Sequence, residues 1–445
     1  MRSPTAEVTA PVIPDRNVFG VTLFMAIFLF LLITIDPYVD LTGAAILDPS
    51  AENSNRLNQI ITLLIFGGML INGLQHSLRS IILRPRWLHA AIFGWFLFTA
   101  LLSNHPFLGI KALILAIIVQ INASIFLLLP SSERQFAKLL ATGTLIMLGI
   151  AYFGVILMPE VSIHQASELR EPMNAGFWRG HFPHKNVAAG AMVIASFFGF
   201  FVMSVWSRGI GLAILALSCF FLIHTGGKSA SAMLPAVLIL AWLFERFRVL
   251  RIPIAVGGVA TYNLLAVGPS VIRPLGEFVS SLGIDATFTN RADIWRFAFS
   301  AISEKPITGY GLKGFWQTSE LVHSGGTVET WAVQAYNGHN GYLDILLHTG
   351  IPGLILTLIL VLFLPLRDLN RRDESGMHSN MTRLFVRIWL YALFNAGLES
   401  IFFNSGSLLW FIFVVALYAF RLRSENLVSP TAEITGAETG VKQTR

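Results

Sequence analysis

The sequence predicts an all-α polytopic membrane protein, and three observations support that fold class. First, 54% of the 445 residues are hydrophobic, only 13% are charged, and the mean hydropathy is +0.66. Soluble domains carry roughly 25% charged residues. Second, apolar runs of about twenty residues, which suffice to cross roughly 30 Å of hydrocarbon, recur along the chain. Third, lysine and arginine concentrate in alternate connections between these runs, as the positive-inside rule requires.

About twelve segments are long and apolar enough to be transmembrane helices. Their approximate cores are 17–35, 58–76, 88–103, 108–130, 138–158, 187–206, 210–225, 229–245, 252–269, 341–365, 384–402 and 406–421. The seventh and eighth segments, and likewise the last two, have very short connections, so a re-entrant hairpin is an alternative for each pair. The first segment has no convincing cleavage site before or after it, and we interpret it as a retained anchor.

The positive-inside rule places both ends of the chain in the cytoplasm. The predicted organisation is a cytoplasmic tail (1–16), nine transmembrane helices (17–269), a large outside loop (270–340), three more transmembrane helices (341–423) and a disordered cytoplasmic tail (424–445). Loops longer than about 15 residues are usually functional or disordered. The large outside loop is therefore a candidate functional region.

The sequence also excludes several classes of protein. The chain has one cysteine, Cys219, so an intramolecular disulfide and a cysteine-based metal site are excluded. Its net charge of +6 follows the predicted topology and does not indicate nucleic-acid binding. The sequence contains no P-loop, no Rossmann fingerprint and no repeat of roughly 20–50 residues, so a soluble nucleotide-dependent domain is not expected.

The large loop contains the pattern of an amphipathic helix, TNRADIWRFAFSAISEKP, over Thr289–Pro306. Asn290 is a suitable N-cap, Asp293 suits the first turn, and Pro306 ends the helix. The predicted apolar stripe consists of Ile294, Phe297, Ala298, Ala301 and Ile302. Such a stripe lies on the membrane surface or packs over the helical bundle.

Two polar motifs stand at the mouths of apolar segments on the predicted outer side. They are GFWRGHFPHKNVAAG (Gly176–Gly190) and YNGHNGYLDILLHTGIPG (Tyr336–Gly353). Arg179, Lys185 and Arg291 are the candidate ligands of a phosphate or diphosphate, because each borders a span or starts a helix and arginine holds two phosphate oxygens at once. The alternative is pairing with nearby carboxylates and snorkelling to lipid phosphates.

The histidines of these motifs are the second set of candidates. His181 and His184 have the spacing His-x-x-His, but Pro183 keeps them off a regular helix face, and no acidic or cysteine partner has metal-ligand spacing. We therefore expect no metal site and favour a structural role for His181. His339 lies just before Asn340, the predicted N-cap of a span. Histidine accepts protons near neutral pH, so His339 is a candidate base.

Asp344 and His348 follow Asn340 at positions i+4 and i+8, on one face of the predicted helix. Polar groups on an apolar span are costly unless they meet partner groups or a wet cavity. This stripe is therefore either a structural seam between helices or a cavity wall leading to His339. The glycines and the proline of HTGIPG then predict a kink.

These motifs, in this order, resemble the O-antigen ligase and polysaccharide polymerase superfamily of bacterial envelopes, and its succinoglycan-type exopolysaccharide polymerases in particular. The resemblance covers most of the chain. It is carried by RGHFPHKNVAAG, NRADIWRFAFSAISEKPITGYGLKGFW and HNGYLDILLHTGIPG. It implies inverting glycosyl transfer on the periplasmic face of the inner membrane from a glycan linked to undecaprenyl diphosphate, with no metal or other cofactor.

The resemblance also implies roles for particular residues. His339 corresponds to the family's loop-end histidine, a base or acceptor-orienting group, while Arg179 and Arg291 correspond to basic residues that hold the diphosphate. The further substrate-binding candidates are Lys185, His184, Asn186, Asn340 and Asp344.

The acceptor is expected to be a growing exopolysaccharide, with lipid A–core, and hence an O-antigen ligase, as the alternative. Membrane lipids are further expected partners, as are a flippase and a chain-length regulator. Two other classes remain: a transporter of lipid-linked glycan and a non-catalytic assembly scaffold. Against a transporter, the sequence has neither an internal repeat nor charged residues at the midplane of corresponding spans.

Overall fold

A computed structural model describes residues 18–34, 36–42, 56–75, 87–169, 171–281, 291–322, 331–371 and 379–424. Over these ranges the regular structure is helical, with one isolated bridge between Ile163 and Trp178. Seven of the described helices are long and apolar enough to cross a membrane, and three shorter apolar helices accompany them. The predicted all-α membrane fold class is therefore confirmed, whereas the number of twelve spans stays a prediction.

Fourteen helices form the framework of the described ranges. They are α1 (Val18–Ile33), α2 (Arg56–Gln75), α3 (Trp87–Leu101), α4 (Pro106–Phe126), α5 (Glu133–Leu157), α6 (Lys185–Val205), α7 (Arg208–His224), α8 (Lys228–Arg246), α9 (Arg248–Ser270), α10 (Arg273–Ser281), α11 (Arg291–Glu304), α12 (Gly341–Asn370), α13 (Asn380–Asn395) and α14 (Leu408–Ser424). Segments of π-helix interrupt α9 at Pro253–Gly258 and α12 at Ile359–Phe363. Short helical turns lie at Pro159–Ser162, Pro172–Asn174, Ser319–Val322 and Trp331–Gln334.

Helix α6 is the centre of the bundle, packed against α5, α7, α8 and α13. It is buried over most of its length, which its small and aromatic residues permit. The α6–α7 crossing is especially close, because a Cβ on Gly211 would lie 2.4 Å from the amide nitrogen of Met203. Small residues at such crossings let two helix backbones approach within van der Waals contact, which favours association in lipid. Helix α2, by contrast, exposes Leu63, Leu64 and Ile71, as expected of a helix that faces lipid.

Six connections meet at one end of the bundle, which we call the polar end. The connection after α1 contacts the α5–α6 connection, because the Arg179 guanidinium donates to the Val39 carbonyl. The α5–α6 connection contacts the end of α7, since the Trp178 amide donates to the His224 carbonyl at 2.9 Å. The α3–α4 connection pairs with the large loop through His105 and Glu320 at 2.7 Å. The start of α12 and the α13–α14 connection complete this end.

Helix α12 kinks at Gly350, where φ is +67°, as the glycine and proline pattern predicted. Pro352 has no amide hydrogen, so the carbonyl of His348 loses its normal helical partner. The turn 306–311 replaces the missing bonds: its amides donate to the carbonyls of Leu347 and His348 at 3.1 and 2.8 Å. In return, the Ile351 amide donates at 2.9 Å to the carbonyl at the start of the same turn. The large loop is thereby fastened to the bundle.

Candidate functional site

The amphipathic helix of the large loop is α11, Arg291–Glu304, and it packs against α12. The predicted stripe is buried at Ile294, Ala298, Ala301 and Ile302, and Phe297 packs partly buried beside them. The sequence left two alternatives for this helix, which were lying on the membrane surface and packing over the bundle. The burial of the stripe shows that α11 packs over the bundle. The predicted N-cap, Asn290, lies outside the described residues. Arg291 is at the first turn of α11 and faces the α13–α14 connection.

His339 is held by the backbone and side chains on both sides of it. Its φ is +46°, an uncommon value for a non-glycine residue, and its amide donates to Asn337 Oδ1 at 2.9 Å. Asn340 caps α12, accepting from the Leu343 amide at 2.9 Å. The Asn340 amide group also donates to Asn263 Oδ1 at 2.9 Å and to the Gly397 carbonyl at 2.8 Å. Buried Asn340 thus fixes where the chain enters α12, and with it the position of His339.

Asp344 stabilises the same turn from within α12. It is buried, and its Oδ1 accepts from Trp316 Nε1 at 2.8 Å and from the Gly338 amide at 3.0 Å. Trp295 of α11 donates its Nε1–H to the carbonyl of Gly338 at 2.8 Å. The described partners of Asp344 are therefore groups of the large loop, as expected of a structural seam. Its predicted contact with substrate stays a prediction.

The α13–α14 connection supplies a carboxylate to this site. Glu399 Oε1 accepts from Arg291 at 2.9 Å and from Asn186 Nδ2 at 3.3 Å, while Oε2 lies 3.5 Å from His339 Nδ1. We call Asn186, Arg291, His339 and Glu399 the Glu399 cluster. The side chains of Arg291, His339 and Glu399 are 16%, 32% and 30% exposed, so the cluster opens to the surface of the polar end.

The charges of the cluster are mutually dependent. Burial alone would raise the pKa of Glu399. The Arg291 guanidinium and the His339 ring together outweigh that effect and lower the pKa to about 2. Glu399 is therefore ionised at any physiological pH. It offers His339 a fixed negative charge that orients the ring through Nδ1 and leaves Nε2 for another partner.

Arg179 lies elsewhere in the polar end and has other partners. It is 1% exposed, and its guanidinium donates to the carbonyls of Phe182, at 3.2 Å, and Val39. His181 is also buried, with Nε2 2.8 Å from the carbonyl of Leu32 at the end of α1. Arg179 thus ties the first motif to the connection after α1, and His181 ties it to the end of α1 itself. The structure does not bring Arg179 into the Glu399 cluster, and its role in anion binding stays a prediction.

The first motif reaches the Glu399 cluster through the start of α6. His184 caps this helix, its Nδ1 accepting from the Asn186 amide at 3.1 Å. The Asn186 side chain extends to Glu399, as described above. Lys185 is half-buried, with Nζ 4.1 Å from the ring centroid of Phe177, and it faces Lys228 at the start of α8. Two motifs that are far apart in sequence therefore meet at one carboxylate.

Glu399 is the residue of this cluster that the sequence analysis did not propose. Its signal was weak: a lone glutamate in ESIFFNSGS, directly after an apolar segment and at the same end as several cations. A buried or half-buried cation generally needs a counter-charge, so an acid at this position is a natural partner. Spacing gave no indication, because Glu399 is 108 residues from Arg291 and 213 from Asn186.

An apolar bundle that gathers ionised side chains at one end, beneath a helical loop, defines a polytopic membrane protein with a polar surface site. Residues 211–358, which run from α7 into α12, match the model of the family described as O-antigen ligase. This confirms the resemblance predicted from the motifs: residues 211–358 are similar to the O-antigen ligase family. It contains Arg291 and His339 but neither Asn186 nor Glu399.

Two curated relatives show a similarity of the same kind. A Rickettsia felis protein named "Putative polysaccharide ligase" is 27% identical over 150 residues, which are 33% of this chain and 36% of that protein. The exopolysaccharide production protein ExoQ of Rhizobium meliloti is 28% identical over 165 residues, 34% of this chain and 37% of ExoQ. The alignments thus span little more than a third of these relatives.

Proposed function

We propose that this protein is a membrane glycosyltransferase that polymerises exopolysaccharide repeat units from an undecaprenyl-diphosphate-linked donor. One observation carries the proposal. Arg291 and His339, both inside the segment that matches the O-antigen ligase family, lie 2.9 and 3.5 Å from the same carboxylate of Glu399. This cluster provides a base, an anion-binding cation and a group that orients both, at the surface of a membrane bundle.

In the proposed reaction, His339 Nε2 takes the proton of the acceptor hydroxyl while that oxygen attacks the anomeric carbon. The new glycosidic bond forms as the bond from the anomeric carbon to the diphosphate oxygen breaks, and undecaprenyl diphosphate leaves with the electron pair. Glu399 orients the ring of His339 and stabilises the imidazolium that forms. Attack opposite the leaving group inverts the anomeric carbon.

Arg291 and Lys185 are the proposed cations for the leaving diphosphate. Negative charge grows on that group as the bond breaks, and preorganised donors stabilise such charge most strongly in a water-poor site. Arg291 donates to Glu399 and to the Leu398 carbonyl in the structure, which fixes the plane of its guanidinium. Asn186 is proposed to bind the sugar next to the diphosphate, because its side-chain amide already contacts Glu399. No cofactor enters this scheme.

We propose a positioning role for Arg179, Asn340 and Asp344. Their side chains are buried, and each makes hydrogen bonds to the loops that carry the cluster. The reaction is proposed to occur on the periplasmic side of the inner membrane, where the lipid-linked donor arrives from a flippase and a chain-length regulator ends growth.

An O-antigen ligase, with lipid A–core as acceptor, is the second candidate. The similarity to a Rickettsia protein named as a polysaccharide ligase supports this candidate. Its identity of 27% is nearly the same as the 28% identity to ExoQ, which supports polymerisation. Both candidates use the same donor chemistry and differ in the acceptor.

Glycan analysis of a strain that lacks the gene tests the proposal and separates the two candidates. We expect loss of long secreted polysaccharide with an intact lipopolysaccharide ladder, restored by the wild-type gene but not by His339→Ala. Loss of the ladder down to bare core, with secreted polymer unchanged, would instead establish the ligase. Normal polymer from a His339→Ala protein that inserts and folds would exclude His339 as the base.

A further inference from the structure

Two glutamate–histidine pairs lie beside the Glu399 cluster, in the connection between α5 and α6. His164 Nδ1 is 2.7 Å from Glu168 Oε2, and both side chains are at most 5% exposed. His184 Nε2 is 2.9 Å from Glu171 Oε2, and this pair is nearer the surface. The two imidazole rings lie 5.3 Å apart between centroids. None of these four residues enters the reaction scheme above.

Both rings turn their second nitrogen toward the start of α6. The Lys185 amide donates to His164 Nε2 at 3.2 Å, and the Asn186 amide donates to His184 Nδ1 at 3.1 Å. The first amides of a helix have no carbonyl partner within the helix, so side chains must satisfy them. Here two consecutive amides are satisfied by two histidines, each oriented by its own glutamate.

These contacts fix the protonation state of both rings. A backbone amide only donates, so the nitrogen that faces it must carry a lone pair. The ring proton then lies on the other nitrogen, His164 Nδ1 or His184 Nε2, and points to a glutamate. A second proton would have to occupy the nitrogen that accepts from the helix. Each cap therefore exists only while its histidine is neutral.

The capped amides belong to Lys185 and Asn186, and these residues carry the first motif to the site. Asn186 uses its side chain to reach Glu399 at 3.3 Å. We propose that the pairs Glu168–His164 and Glu171–His184 are positioning residues that hold the start of α6 against the Glu399 cluster at neutral pH and release it in acid. This inference rests on the proposed function, and it gives His184 a role different from the predicted contact with substrate.

The surrounding charges set the direction of the effect. His164 faces Glu168, the Arg179 guanidinium and His184; burial lowers its pKa, although Glu168 opposes this. The hydrogen bond from His184 lowers the pKa of Glu171 to about 2, so that glutamate stays ionised. Lys185, which faces Lys228, adds positive charge at the start of α6. The capped helix is thus favoured at neutral pH and is lost in acid, where a proton occupies the ring nitrogen that accepts from the helix.

Paired substitutions separate capping from titration. Asparagine is a good N-cap, so His184→Asn keeps an oxygen for the Asn186 amide without a titrating group, and His164→Gln does the same for Lys185. His184→Ala removes the cap. We expect His184→Asn to recover most of the glycosyl transfer from the donor that His184→Ala loses. In the wild type, we expect the acid side of a plot of log(kcat/KM) against pH to have a slope above one. In the double variant His164→Gln/His184→Asn neither cap is removed by acid, and the slope should be smaller than in the wild type.

Hydrogen exchange of a peptide covering residues 185–189, measured on the full protein in nanodiscs, tests the caps without any activity. Protection, corrected for intrinsic exchange, should fall about fivefold per cap between roughly pH 7.5 and pH 5 in the wild type, and should not fall in the double variant. Equal protection at both pH values, or the same loss in the double variant, would overturn the inference. If the exchange pattern is as expected but neither the wild type nor any variant transfers a glycan, the caps would be supported and the proposed function would be overturned.

Discussion

At the scale of residues, two arginines that look alike in sequence have different surroundings. Arg179 and Arg291 each border a helix at the polar end and were both candidates for the diphosphate. Arg179 is 1% exposed and donates to backbone carbonyls of two connections, whereas Arg291 is partly exposed and pairs with Glu399. A buried arginine with carbonyl partners stabilises loops. An accessible arginine with a carboxylate partner is available to an anionic ligand.

This difference predicts opposite effects of the same substitution. Arg179→Lys keeps the charge but loses the planar fork, and we expect it to destabilise the protein by about 2–3 kcal/mol, because hydrogen bonds from buried charged groups are lost. Arg291→Lys should leave thermal stability near the wild-type value and lower kcat by about 10²-fold. Thermal melting and initial rates of polymer formation check both. A variant pair with equal stabilities, or an unaffected Arg291→Lys rate, would contradict the assignment.

The sequence could predict His339, Arg291 and the Asn340 cap, because each sits at a recognisable start of a helix and uses short-range rules. It could not predict Glu399 as their common partner. That contact depends on how α11, α12 and the α13–α14 connection pack, and no local pattern encodes it. For the same reason, the burial of Arg179 could not be separated from the exposure of Arg291.

At the scale of elements, the kink of α12 joins the large loop to the transmembrane bundle. A Cβ at Gly350 would lie 1.9 Å from the carbonyl oxygen of Ile307, in addition to the strain of its positive φ. The turn 306–311 could not then supply the hydrogen bonds that α12 loses at Pro352. The glycine and proline of HTGIPG predicted the kink, but the turn that satisfies it is about 40 residues upstream and could not be identified from sequence.

Gly350→Ala is therefore expected to reduce both folded yield and thermal stability, with a cost of about 3 kcal/mol or more. Gly149→Ala is the matched control, since Gly149 lies in α5 with nothing within 4 Å of a built Cβ. Alanine is the better helix former, so the control should be neutral or slightly stabilising. Fluorescence-detected size exclusion after heating measures both. Equal melting of the two variants would show that the turn does not depend on Gly350.

At the scale of the whole molecule, the connections between helices divide between the two ends of the bundle. The contacts among the connections after α1, α3, α5, α7 and α13 and the large loop place them together at the polar end. The turn between α4 and α5, around Ser131, lies at the opposite end because α4 starts at the polar end. The hydropathy pattern and the placement of basic residues predicted this alternation, since both are summed over long segments and tolerate local error.

Cysteine labelling from outside intact spheroplasts tests the orientation. In a Cys219→Ala background, a membrane-impermeant maleimide should label Met173→Cys and Asn404→Cys, which are exposed at the polar end. Ser131→Cys, exposed at the other end, should react only after permeabilisation. The reverse pattern would place the Glu399 cluster in the cytoplasm, away from any periplasmic donor.

The Glu399 cluster joins pieces of chain from both sides of the family-matched segment, 211–358. An excised fragment with those boundaries would retain Arg291 and His339 but lose the only carboxylate that the described structure places against both. Arg291 would then lack its counter-ion, and the ring of His339 would lose the carboxylate beside its Nδ1. Minimal versions of this protein should therefore be cut no closer than the α5–α6 connection at one end and α14 at the other.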